Sequence, residues 1–147
     1  KKGGDDQTPW TPAINLTLGW RAALRTLAEE GLQNRWQRCE TMANGVRSLF
    51  SSLGFELLAD EKQRSNTVTA ILYPKGIDDS WRSKLQSEYK TFVIGAQDHL
   101  KGKVFRIGSM GETPIEEMIE GCKRMITCFN EMGLDLPISE VESHFER

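Results

Sequence analysis

The sequence predicts an α+β domain: a small, mostly antiparallel sheet with helices packed on one face. Two long stretches near the start, 13–30 and 32–53, repeat apolar residues at three-and-four spacing, the period of a helix face. Short runs rich in β-branched and aromatic residues follow at 55–58, 67–72, 92–94 and 104–107, with helical patterns at 79–89 and from 113 to about 132. The order helix, helix, strand, strand, helix, strand, strand, helix gives a layer of helices on a sheet, and such a sheet leaves its other face to be covered.

Composition bounds the function classes. At 147 residues, 38% hydrophobic and 27% charged, the chain can bury a core of its own and reads as one folded domain. A formal charge of -2, with no basic stripe interleaved with aromatics, argues against a nucleic-acid partner. No apolar run approaches the roughly 20 residues that cross a bilayer, and the opening KKGGDDQTP has no apolar signal segment. The expected location is therefore the cytoplasm or an organelle matrix, with no membrane partner. Cys39, Cys122 and Cys128 fall at helix-pattern positions and read as buried free thiols, and the two histidines, His99 and His144, are too few to help build a metal centre.

Residues 1–12 read as an extended arm or a cut end, because the prolines of Thr8-Pro9-Trp10-Thr11-Pro12 disfavour helix before each of them. Thr11 has two readings. It is either an N-cap with Pro12 at the first helical position, or a hydroxyl that joins a positive helix N-terminus in seating a phosphate. The helix over 13–30 is expected to bury Leu16, Trp20, Ala23, Leu24 and Leu27 and to stop at Gly31. The next keeps its stripe from Leu32 and Trp36 through Val46 to Leu53, with Arg35, Arg38, Arg47 and Glu40 on a solvated face. Asp78 is a plausible cap for the short helix at 79–89. Thr113-Pro114-Ile115-Glu116 reads as a capping box for a helix whose methionines fill the core, and Ser139 to Glu142 as another, for a short exposed helix in the 137–147 tail.

The run over 101–111, KGKVFRIGSMG, carries the chemistry. Alternation sends Val104 and Arg106 to one face of a strand and Phe105 and Ile107 to the other, and Gly108 and Gly111 bend the chain just beyond. A guanidinium at a strand end offers a planar fork for a carboxylate or phosphate. The other reading of Arg106 is an edge-strand residue paired with a surface glutamate.

These residues also resemble a known family. GKVFRIGSMG is similar to the GK-x-FRIG-x-MG segment near the C-terminus of class V aminotransferases of the alanine–glyoxylate and serine–pyruvate type, which belong to fold type I of the pyridoxal-phosphate (PLP) enzymes. QTPWTPAINLTLGWRAAL at 7–24 resembles the family's TP-x-TPA segment and following helix, EEGLQNRWQR at 29–38 its EEGLEN-x-W-x-R, and NTVTAILY at 66–73 its PTVTA strand. Four segments in the family's order, within residues 6–133, make the match.

The resemblance implies the C-terminal small domain of a fold type I enzyme, here 13–136, lying against a large domain outside this stretch. It implies amino transfer between a small amino acid, such as alanine or serine, and a 2-oxo acid such as glyoxylate or pyruvate, in a homodimer. Arg106 would bind the substrate carboxylate. Thr11 matches a threonine that reaches the PLP phosphate of the opposite subunit, and Thr8, which stands where some relatives carry tyrosine or asparagine, is the second cofactor-binding candidate that the resemblance implies. The Schiff-base lysine and the acidic partner of the pyridine nitrogen would lie in the large domain, so no catalytic residue is expected here and Lys62, Lys75, Lys90 and Lys101 read as solvated surface. Two departures stand out: Gly95-Ala96-Gln97-Asp98-His99 replaces a glycine-rich run, and Ser109 replaces a histidine common in relatives. The competing reading is a standalone α+β anion-binding or scaffolding module, with Arg106 as ligand contact or structural ion pair.

Overall fold

Gly31, at φ 83°, divides one long helical run into α1 (Ile14–Glu30) and α2 (Leu32–Ser52), and its amide closes α1 on the Leu27 carbonyl at 2.9 Å. The computed structural model describes residues 10–146. The chain forms two compact units, Lys1–Trp36 and Gln37–Arg147.

In the first unit α1 forms where the apolar period predicts it, but it buries none of its residues. Leu16 is 76% exposed and Trp20 67%, and Leu32 and Trp36 at the start of α2 are exposed as well. Periodicity reports that a face is apolar; burial requires a surface to meet it, and among the described residues this stripe stays open to solvent. Thr11 is not the cap. Ala13 holds that position, since its carbonyl accepts the Thr17 amide at 3.0 Å, so Thr11 stands two residues before the helix's N-cap and α1 opens with no side-chain cap.

The second unit holds the core. β1 (Val68–Leu72), β2 (Ile94–Gly95) and β3 (Val104–Gly108) form an antiparallel sheet in the order β1-β3-β2. Residues of α2, α3 (Ser80–Tyr89) and α4 (Ile115–Glu131) share one apolar cluster with Ile71, Phe105 and Ile107 from the sheet. At its centre the Trp81 and Phe129 rings stack at 4.1 Å, with Phe105 at 4.8 Å from Trp81. Aromatic pairs in such geometries add about 0.5–1.5 kcal/mol each beyond their buried area.

Several expected elements shrink or shift. The strand at 55–58 is only a bridge from Leu57 to Ile71, flanked by bonds from Leu58 to Ala70 and from Leu72 to Glu56, because Gly54 turns the chain at φ 82° and Phe55 goes into the core. The strand at 92–94 becomes Ile94–Gly95, since the chain leaves α3 through a left-handed cap at Lys90. Asp78 accepts the Ser80 amide at 2.9 Å, although Asp79 holds the N-cap position itself. No capping box closes α4: Pro114 is extended and precedes the helix, and the Thr113 carbonyl accepts a bond from Arg38. Arg38 also reaches the Gly111 carbonyl at 2.7 Å, so it is not simply a solvated charge.

The C-terminal tail is not an exposed helix. It makes one 3₁₀ turn, Glu142–His144, and buries Val141 and Phe145. Cys122 and Cys128 are buried free thiols as expected, whereas Cys39 is half-buried. Among the described residues no helix is long and apolar enough to cross a membrane.

Candidate functional site

Arg106 lies on the central strand, which removes the edge-strand reading. Its cross-strand neighbours are Ala70 and Ile94, and its side chain leaves the sheet on the face opposite Phe105 and Ile107, away from the helices. No carboxylate pairs with it among the described residues; its Nε and Nη2 instead donate to the Gly95 carbonyl at 3.1 and 2.8 Å. A guanidinium has five N–H donors in a fixed fork. The bonds to Gly95 use its lateral edge and leave the Nη1/Nη2 edge for another group. Around it lies a cleft of about 490 Å³ lined by Val68, Phe92, Ile94 and Met110, all exposed apolar side chains. The result is a half-committed guanidinium, aimed by backbone, in an apolar surround that is open to solvent.

Gly95 is itself braced. The Arg82 guanidinium lies against it, and Arg82 grips Asp79 bidentately, Nε to Oδ1 at 3.0 Å and Nη2 to Oδ2 at 2.6 Å. The Tyr73 hydroxyl donates to the same Oδ1 at 3.0 Å. The bonds from Arg82 hold the Asp79 carboxyl below its usual range, and burial, followed by the bond to Asp79, pushes the Tyr73 phenol up.

No family model matches the chain. Over 137 residues it is 42% identical to an uncharacterized aminotransferase of Methanocaldococcus jannaschii, covering 92% of this chain and 36% of that protein. It is 42% identical over 105 residues to the serine–glyoxylate aminotransferase of Hyphomicrobium methylovorum, covering 70% of this chain and 26% of the relative. The crystal structure of pyridoxamine–pyruvate aminotransferase from Mesorhizobium loti matches 95% of this chain and 37% of its own, with a TM-score of 0.87 at 26% identity. Over most of its length the chain is similar to class V aminotransferases.

It corresponds to the C-terminal part of these aminotransferases and spans about a third of the length of the curated relatives it matches. The α+β architecture expected of an aminotransferase small domain is the one observed. Of the predicted site residues, Arg106 belongs to the second unit and Thr11 to the first, while Thr8 lies outside the described residues. Thr11 is exposed, ahead of a helix start that bears neither a side-chain cap nor an acidic first turn. Lys62, Lys75, Lys90 and Lys101 are all exposed, as expected. Ser109 is fully buried just beyond the end of β3. Gln97, Asp98 and His99 are exposed, with Asp98 in the left-handed region at φ 51°.

The sequence reading missed Tyr73, Asp79, Arg82 and Gly95 as a connected group. Asp79 and Arg82 sit at the i, i+3 spacing of an acid–base pair on one helix face, a signal that was there to be used. What that spacing could not give is that Arg82 reaches a glycine 13 positions later, because a sheet contact of that kind exists only once α3 has packed.

Proposed function

We propose that this chain is the substrate-gripping C-terminal part of a PLP-dependent aminotransferase, moving an amino group between a small amino acid such as alanine or serine and a 2-oxo acid such as glyoxylate or pyruvate. The observation that carries the reading is the free Nη1/Nη2 edge of Arg106, held toward an apolar cleft by two bonds to the Gly95 carbonyl. An amino donor and a 2-oxo acceptor differ at Cα but share the carboxylate, so one fork serves both halves of a transamination. A charge-assisted bond sheltered from water contributes about 1.5–3 kcal/mol, and the bidentate form also fixes the plane of the substrate.

The cofactor, when bound, supplies the electron sink that stabilises charge at the substrate's Cα. The residues present fit one end of it. The exposed Thr11 hydroxyl and the positive start of α1, which no acidic side chain offsets, suit a phosphate, and in a homodimer they would serve the neighbouring subunit's cofactor. Thr8 is proposed to assist from the same arm. Every described lysine is exposed or ion-paired, which supports a cofactor-bearing lysine outside this stretch. The open face of the sheet, with Val68, Phe92, Ile94 and Met110 exposed, is where a large domain would lie against residues 13–136, with 1–12 as an arm and 137–147 as a tail. The proposed location is the cytoplasm or an organelle matrix.

The test is Arg106→Lys in the full-length enzyme. Lysine keeps the charge and loses the fork, so kcat/KM should fall by roughly 2–4 kcal/mol with both amino and 2-oxo acids. Kinetics equal to the parent's with both would overturn the reading and leave Arg106 as a structural residue.

A further inference from the structure

Gly95 is glycine for a reason that its backbone does not supply. It is absent from the described glycines of positive φ, so its conformation is open to any residue. A Cβ built on it, however, would stand 3.2 Å from the Arg82 guanidinium carbon and 3.3 Å from Nε and Nη2, tighter than ordinary contact. Those two nitrogens are the ones bound to Asp79, so Arg82 spends its lateral edge on the carboxylate and lays its flat face against the Gly95 Cα. The carbonyl of that same residue takes both bonds from Arg106. Two arginines therefore meet one glycine, one through its Cα and one through its carbonyl. Asp79 is steadied in turn by Tyr73, whose ring packs at 5.2 Å from Phe105, the residue before Arg106.

We propose that Arg82 is a positioning residue for carboxylate recognition: clamped by Asp79, it braces Gly95 and so fixes the carbonyl that aims the free edge of Arg106. The inference rests on the reading of Arg106 as the carboxylate fork. β2 has only two residues in register with β3, so ladder bonds alone hold it weakly, and the Arg82 face supplies the support it lacks. Removing that face lets the Gly95 carbonyl shift, which turns the guanidinium on its two bonds and misaligns a bidentate contact. A misplacement near 1 Å can cost as much as about a hundredfold in rate.

The experiment uses the full-length enzyme and two independent variants, Arg82→Ala, which removes the brace, and Gly95→Ala, which pushes against it. Each is assayed with an amino acid and with the primary amine of the same skeleton lacking the carboxylate. Both variants should raise KM for the amino acid and the 2-oxo acid by about tenfold, change kcat less, and leave the amine's rate constant at the parent's value. Arg82→Lys, which keeps the charge near Asp79 but not the flat face, should fall between parent and alanine variant and covers the case in which Arg82→Ala does not fold. Combining Arg82→Ala with Arg106→Lys should be no worse than Arg106→Lys alone, because both act through one fork. Equal losses on amine and amino acid, or full additivity in the double variant, would make Arg82 merely structural and overturn the inference. If Arg106→Lys is impaired while both Arg82 variants keep the parent's KM, the inference falls and the carboxylate reading stands. If Arg106→Lys itself matches the parent, the carboxylate reading falls and takes this inference with it.

Discussion

The Phe145 ring occupies the place where a side chain on Gly45 would stand: a Cβ there would come within 2.3 Å of Cδ1 and 2.5 Å of Cε1. Gly45 sits in the middle of α2, where glycine costs about 1 kcal/mol relative to alanine, and it has an ordinary helical φ. The notch it leaves is what lets the tail pack, with Val141 fully buried and Phe145 6% exposed. Polar contacts hold the same turn, the His144 Nδ1 to the Ser48 hydroxyl at 2.8 Å and Lys123 to Glu142 at 2.6 Å.

Gly45→Ala should therefore destabilise the fold by about 1–3 kcal/mol despite alanine's better helix propensity, because the methyl overpacks against an aromatic ring. Phe145→Ala should cost about 3–5 kcal/mol by leaving a cavity. The double variant should cost less than the sum, since the two side chains compete for one space. Urea denaturation midpoints measure all three; a neutral or stabilising Gly45→Ala in the parent would show that the tail does not pack there.

The helices and the core stripe of α4 were legible in the sequence because three-and-four periodicity is local and survives any tertiary arrangement. Met118, Cys122, Met125 and Ile126 are buried as that period requires. Two kinds of feature were not legible. The stripe of α1 was read correctly as apolar and wrongly as buried, because a pattern names a face and not what covers it. The tail read as exposed because Phe145 meets α2 a hundred residues earlier, through a glycine that gives no signal by itself. At the candidate site Arg106 could be found from a charge in a strand, whereas its bond to Gly95 depends on a two-residue strand that no window of alternation detects.

The Asp79 carboxyl, held low chiefly by the bonds from Arg82, gives an acid limb to stability. A carboxylate whose folded pKa is depressed stabilises the fold above its unfolded value, near pH 4, and loses that contribution as pH falls through the lowered folded value. Asp79→Asn should thus reduce stability at neutral pH and converge with the parent as pH falls through that lowered value. Both side chains are partly exposed, 39% for Asp79 and 30% for Arg82, so the difference should be modest and shrink with added salt. Thermal melts across pH would show it; parallel curves down to the acid end would mean that Asp79 and Arg82 do not interact in solution.

Thiol reactivity should separate the three cysteines. Burial pushes the Cys122 thiol up to about 12 and the Cys128 thiol up to about 11, so both stay protonated and shielded at pH 8. Cys39 is half-buried on α2 and should react first. Iodoacetamide at pH 8 followed by peptide mapping should find Cys39 carboxamidomethylated while Cys122 and Cys128 react only on unfolding. Because a raised thiol pKa favours the folded state's neutral form, that contribution disappears as pH rises above the unfolded value, about 8.5. Equal labelling of all three in the native protein would contradict the core assigned to α4.

The open stripe of α1 sets the last expectation. Leu16, Trp20 and Leu24 recur at helical spacing and are all exposed, and Trp36 at the start of α2 is 58% exposed. Single exposed apolar residues are ordinary, but a contiguous patch beyond a few hundred Å² tends to find another surface. An amphipathic helix with no cover can lower its free energy by pairing, at roughly 25 cal/mol for each Å² of apolar area removed from water. This 147-residue chain should accordingly self-associate, and sedimentation equilibrium should give an average mass that rises with concentration. Replacing Leu16 and Trp20 with serine should return it to monomer without loss of the core fold, because neither side chain is buried. The double substitution separates this cause from adhesion at the sheet's open face around Phe92 and Met110. If the serine variant associates as strongly as the parent, the contact lies at that face and α1 is covered by something other than a copy of itself.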